Sequence, residues 1–280
     1  MEIFQYTFMQ KALVVGLLIA IMTPCIGMIV VLKRLSMIGD SLSHNSLAGV
    51  AAGLAFGFNP VLGAVVFSIT AAFGIERLRK AFPKYSEISI SVIMSIGIGL
   101  AGILSGFVKN SASFNSFLFG SIVAITDFEL YTVIGLSSLV IVAVILLYKE
   151  LFYMTFDEES ARLSGIPIKT IEFIFTMLTA ITISVSARTV GALVVSSLMV
   201  LPVATAMQIS KSYKQTLLLS VLIAVISTLV GLSVSFYVGL KPGGTIVLVS
   251  VAVLLLVLIY KNIKNKFFIR GLKQTSDMSQ

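Results

Sequence analysis

Nine stretches of this chain stay apolar for roughly 18 to 24 residues at a time, and each is long enough as a helix to cross about 30 Å of hydrocarbon. They run over 10–32, 38–56, 60–78, 88–108, 128–148, 168–187, 189–209, 216–238 and 243–260. Within a bilayer every backbone N–H and C=O must find its partner inside the protein, so only helices and closed barrels cross it. Barrel strands alternate apolar and polar residues, and these runs do not. The expected fold class is therefore all-α: a polytopic membrane protein with eight or nine transmembrane helices, forming one domain over 1–280. The count turns on 168–209, which is nearly continuous and is broken only around Arg188 and Gly191. That region reads either as two spans or as one broken helix. A further apolar stretch, SASFNSFLFGSIVAIT at 111–126, is too short to cross and is expected as a re-entrant or surface helix on the outer side.

Charge supplies an independent check. Only 11% of the 280 residues are charged and 58% are hydrophobic, whereas a soluble domain carries about a quarter charged residues. The net charge of +8 raises the question of nucleic acid, but the basic residues punctuate the apolar runs, which is the pattern of a topology signal. With the N-terminus outside, four basic residues fall outside (Lys11, Lys109, Arg188 and Lys241), and the rest of the 20 fall inside. The C-terminal run KNIKNKFFIRGLKQ then forms a basic cytoplasmic tail at about 261–280. The first run ends at Lys33 and Arg34 rather than at a small-residue cleavage site, so it reads as a retained helix. Cys25 is the lone cysteine, which excludes a disulfide within the chain.

The chemistry concentrates in IGDSLSHNSLAG, 38–49. Asp40 and His44, the only histidine, are four apart and share one face of a helix. An acid centred in hydrocarbon costs about 2.5–3.5 kcal/mol, so such residues face a bundle interior or a wet path. Ser36, Ser41, Ser43 and Asn45 add polarity, while Gly39, Ala48 and Gly49 permit close helix packing. Three readings stay open: a hydrogen bond from His44 to Asp40, a transient metal site, and a proton relay. Carboxylate and imidazole both ligate zinc, manganese and iron. One chain offers only two such ligands here, and a symmetric dimer meeting at these helices would offer four. A relay ranks lower, because no second intramembrane acid or lysine continues it.

The longest inner polar segment, KELFYMTFDEESARLSGIP at 149–167, opens with acids and closes on a glycine, the signature of a short amphipathic helix. Pro24 and Pro202 lie inside apolar runs and read as kinks, with Pro202 a possible hinge. Asp127 and Glu129 read as solvated loop acids. GLKPGGT at 239–245 lacks the Lys-Ser/Thr ending of a phosphate-binding loop.

Four segments in order carry a resemblance: KRLSMIGDSLSHNSLAGVA (33–51), FNSFLFGSIVAITDFEL (114–130), TFDEESARLSGI (155–166) and VGALVVSSLMVLPVATA (190–206). Together they resemble the membrane permease subunits of zinc and manganese ABC importers, over nearly the whole length. The resemblance implies a fold similar to the type II ABC importer permeases and a homodimer. It also implies a separate cytoplasmic ATP-binding subunit, and an extracellular metal-binding lipoprotein or periplasmic solute-binding protein that delivers the ion. Asp40 and His44 would bind the transported Zn2+ or Mn2+, with no cofactor of the chain's own. Phe156, Asp157, Glu158, Glu159, Ala161 and Gly165, within a loop at about 150–167, would couple the permease to the ATPase. Zinc is expected ahead of manganese. No enzyme activity is expected of this chain. An autonomous ion-coupled carrier or channel is the rival. An intramembrane protease is disfavoured by the lack of His-Glu-x-x-His and of paired aspartates within spans.

Overall fold

The computed structural model describes residues 5–82, 85–121 and 125–277, with side chains through residue 264 apart from those of Ser86, Ser111, Arg188 and Thr189. The described residues form twelve helices and no strands. They are α1 (Thr7–Leu32), α2 (Ser36–Phe56), α3 (Pro60–Ala81), α4 (Ser86–Ser105), α5 (Ser111–Phe119), α6 (Asp127–Leu146), α7 (Tyr148–Phe156), α8 (Glu158–Leu163), α9 (Ile168–Thr189), α10 (Val195–Met207), α11 (Tyr213–Val238) and α12 (Pro242–Asp277). By length and apolarity α1, α3, α4, α6, α9, α11 and α12 can each cross a membrane. At 21 residues α2 is also long enough, about 31 Å at 1.5 Å per residue, but it is more polar than the rest.

The structure divides 168–209 into two helices, and the second returns: α10 ends at Met207 beside Phe156 of α7, at the end of the bundle where α9 begins. α9 ends at Thr189, and α10 has only 13 residues, about 20 Å, too short to cross alone. The second span expected at 189–209 is thus a short returning helix. The break is built by contact with α5. Ala192 N–H donates to Phe117 C=O at 2.8 Å, so backbone groups freed between α9 and α10 are satisfied by the end of the short outer helix. Gly191 has φ +98°, and a Cβ there would lie 2.5 Å from Leu118 C=O. Only glycine permits both the turn and the approach.

The re-entrant segment expected at 111–126 is helical over Ser111–Phe119, capped by the Asn110 side chain, which accepts from Ala112 and Ser113 N–H. Residues 122–124 lie outside the described ones. Glu129 is not a solvated loop acid. It is buried and closes a capping box with Thr126 at the start of α6, where the helix N-terminus favours a carboxylate. Asp127 is exposed, as expected, and pairs with Lys11 at 2.6 Å. The tail is not a separate element: α12 continues as helix from the last span to Asp277.

A core of α1, α9 and α10 side chains, including Met22, Ile26, Ile183 and Met199, fills the centre of the bundle. α2 lies beside it, flanked by α3, α4, α5, α9 and α10.

Candidate functional site

α2 starts from a tight reversal after α1. Leu35 N–H reaches back to Val30 C=O at 2.8 Å, and Arg34 takes the left-handed position, φ 57°, usually given to glycine. Lys33 in the same turn pairs with Glu172 of α9 at 2.8 Å. The start of α2 is thereby tied to two helices.

Small residues let the neighbours close in. A Cβ on Gly49 would lie 2.1 Å from Gly63 C=O of α3, so the two backbones touch there. The polar side chains of α2 then act as fasteners. Ser41 Oγ donates to Ile90 C=O at 3.2 Å, and Asn45 Nδ2 donates to Ile93 C=O at 3.0 Å, both on α4. Leu42 C=O accepts from Ser68 Oγ of α3 at 3.2 Å. Ser41 and Asn45, which read in the sequence only as polarity, are committed to packing.

Fourteen residues between Ile38 and Gly53 are buried, and Asp40 and His44 are not among them. Asp40 is exposed and His44 half-buried, one turn apart and continuous with exposed Met37. α2 therefore keeps one narrow open strip, and the chain's only imidazole and an acid lie on it. Asp40 does not spend its carboxylate on His44. Its Oδ1 accepts a short hydrogen bond from Ser196 Oγ, in the first turn of α10. Gly39 makes room, since a Cβ there would stand 3.0 Å from Ser196 Cβ. Sequence reasoning missed Ser196. Its serine lies 156 positions away in the chain, and nothing local marks it.

Among the described residues no three His, Cys, Asp or Glu side chains gather closely enough to hold a metal. Asp40 and His44 can supply two ligands, and a cation held there needs the rest from water or from another chain. Pro202 is buried inside α10, six residues beyond Ser196, in a helix that continues through it.

The 150–167 segment is two short helices rather than one. Asp157 ends α7 and caps α8, accepting from Ser160 N–H at 2.9 Å. Hydrogen bonding from Ser160, side chain first and backbone second, holds the Asp157 carboxyl below its ordinary value of 3.8. Gly165, φ +82°, stops α8 in the left-handed cap, with Ile166 N–H returning to Ala161 C=O at 3.1 Å. Ala161 is buried inward, while Phe156 and Leu163 are exposed, as are Glu158 and Glu159. Phe152 and Phe156 each meet Tyr213 of α11 edge to face.

The family description "ABC 3 transport family" matches residues 5–261, nearly the whole chain. The chain belongs to the ABC 3 transport family. It is 38% identical over 256 residues to a probable metal transport system membrane protein of Treponema pallidum, covering 91% of this chain and 96% of the relative. It is 30% identical to the manganese transport system membrane protein MntC of Listeria monocytogenes, over 91% of each. Among solved structures, PsaBC from Streptococcus pneumoniae superposes with a TM-score of 0.81 at 26% identity, covering 90% of this chain and 91% of that one. An inward-facing putative metal-chelate type ABC transporter shares the fold, with a TM-score of 0.67 at 15% identity. This ABC 3 family member is thus a multi-pass membrane permease with the helical permease fold. As a permease subunit it is not the ATP-hydrolysing component, which is a separate chain.

Proposed function

We propose that this permease belongs to an ATP-driven importer of a divalent transition metal, manganese ahead of zinc. The open strip of α2 carries the reading: a helix buried on every other side leaves Asp40 and His44 uncovered. Two ligands do not make a site, and a second copy meeting at this strip would bring the set to two carboxylates and two imidazoles. Such a sparse set can release its ion, as a pathway requires. Similar permeases of manganese transport systems favour manganese over the zinc expected from sequence.

The remaining parts follow from that reading. Basic residues concentrate at the ends of the spans that meet α7 and α8, which favours that face as the cytoplasmic one, with the N-terminus outside and the C-terminus inside. Phe156, Asp157, Glu158, Glu159, Ala161 and Gly165 shape the α7–α8 element that docks on the ATP-binding subunit. Pro202 lets α10 bend as the dimer rocks, carrying Ser196 toward or away from Asp40. An extracellular solute-binding protein delivers the ion.

The test is calorimetry on the purified protein with Mn2+ and Zn2+. One ion per two chains, lost in His44→Ala, is the expected result. One ion per chain, retained in His44→Ala, would sink the shared site. Metal flux through liposomes holding this chain alone would favour an autonomous carrier instead.

A further inference from the structure

A cavity of about 700 Å³ opens between the C-terminal turns of α3 and the first turns of α9, away from Asp40 and His44. Its walls are graded. Phe73 and Phe173 line it, 55% and 37% exposed, in an edge-to-face pair with ring centres 6.4 Å apart. Toward the helix ends come Arg77, Lys80 and Lys169, with the hydroxyl of Thr170 beside them. Phe73 lies seven residues before Lys80 on α3, about 10 Å along a helix, and Phe173 lies four after Lys169 on α9. Both helices are spans, so the aromatic rings sit on the hydrocarbon side and the cations at the boundary.

Two acids also line the cavity, and both face protein cations: Glu172 pairs with Lys33 at 2.8 Å, and Glu76 lies 3.6 Å from Arg79. Among the described residues no carboxylate stands within 4.0 Å of Arg77, Lys80 or Lys169. A topology signal requires basic residues at this end, but it does not require three of them around an aromatic-walled cavity. Water alone is a poor filling for an apolar floor.

We infer that this cavity binds an anionic phospholipid, with its phosphate held by Arg77, Lys80 and Lys169 and an acyl chain lying against Phe73 and Phe173. Phosphate is the shared chemistry of a lipid headgroup and of free phosphate, and the apolar floor selects the lipid. Basic pockets between membrane helices recognise such headgroups by charge, and arginine adds a fork that fits two phosphate oxygens.

The experiment uses the full chain in nanodiscs, with phosphatidylglycerol carrying a photoreactive group on its acyl chain. Cross-linked peptides are mapped by mass spectrometry. Labelling is expected to centre on the segments holding Phe73 and Phe173. It should fall roughly five-fold per cation removed, through the Arg77→Ala, Lys80→Ala and Lys169→Ala series, which corresponds to about 1 kcal/mol each. Charge-keeping Arg77→Lys, Lys80→Arg and Lys169→Arg should retain it, as should the control Lys211→Ala with Lys214→Ala. Size-exclusion elution separates loss of the site from loss of the fold, and the charge-keeping variants carry the test if the alanine series misfolds. Equal labelling by photoreactive phosphatidylcholine would overturn the proposal. So would labelling unchanged in the alanine series, or complete competition by inorganic phosphate, which would assign the cavity to the free anion.

Discussion

α2 and α12 invert each other. α12 is among the most apolar helices in the chain, yet only 17% of its spanning window is buried in protein. α2 carries Asp40, His44, Asn45 and four serines, and fourteen of its 21 residues are buried. The difference follows from the solvent. Lipid accepts leucine and valine as well as a protein core does, so apolar surface gains little by turning inward. A serine or asparagine in hydrocarbon gains from a partner, and carbonyls of α4 provide it for Ser41 and Asn45, while Ser43 and Ser46 are buried at close helix contacts with no side-chain hydrogen bond among the described residues. Burial in this molecule therefore tracks the need for polar partners and close backbone contact more than hydropathy.

The comparison breaks most visibly at backbone contacts. Gly49→Leu would drive a side chain into Gly63 C=O, and overpacking beyond about 3 kcal/mol should abolish the folded protein. The matching change on α12, Leu256→Ala at a 67% exposed position, should move stability by no more than about 0.5 kcal/mol. Melting of both variants in one detergent checks the pair, and equal losses would refute the contrast.

On α2 itself, function and stability should separate. His44→Ala and Asp40→Ala sit on the open strip, so metal uptake should vanish while the melting temperature barely moves. Uptake at normal rate in an assembled double variant would remove these residues from the pathway. Ser196→Ala should weaken metal binding about ten-fold, the usual cost of losing a group that orients a ligand, while Ser196→Thr retains it. An affinity unchanged in Ser196→Ala would make that hydrogen bond incidental. Asn45→Ala inverts the pattern, with about 1–2 kcal/mol of stability lost as Ile93 C=O loses its donor, and uptake per folded molecule preserved.

The smallest effect belongs to the exposed α8. The Asp157 carboxyl is held below 3.8 by Ser160, so the cap's contribution is fully present above pH 3.8. It is lost as pH falls through the lowered folded value. Asp157→Asn should flatten that acid limb in amide hydrogen exchange of α8 and leave exchange at neutral pH nearly unchanged. An acid limb identical to wild type would refute the cap.

Much of this was readable in the chain. The all-α class and the spans follow from run length, because the bilayer sets a minimum helix length that local composition must meet. Asp40 and His44 stand out because a titratable group is rare in apolar sequence. The α8 stop at Gly165 and its cap at Asp157 are local rules, legible within a few residues. The capping box of Thr126 and Glu129 is equally local, a Thr-x-x-Glu pattern directly before an apolar run.

What the tertiary structure decided depends on distance in the chain. Whether 168–209 is two spans or a broken helix turned on Phe117 C=O meeting Ala192 N–H, a bond across 75 positions that no window of sequence contains. Ser196 is one serine among many until α10 sets it against Asp40. The open strip is likewise no property of α2's own residues, since Ser41 and Asn45 are as polar as their neighbours and are nonetheless buried. Sequence alone determined which groups this protein carries into the membrane, because the cost of placing them there is paid residue by residue. Packing of five helices around α2 determined which of those groups stay open, because burial is set by what lies across from a side chain.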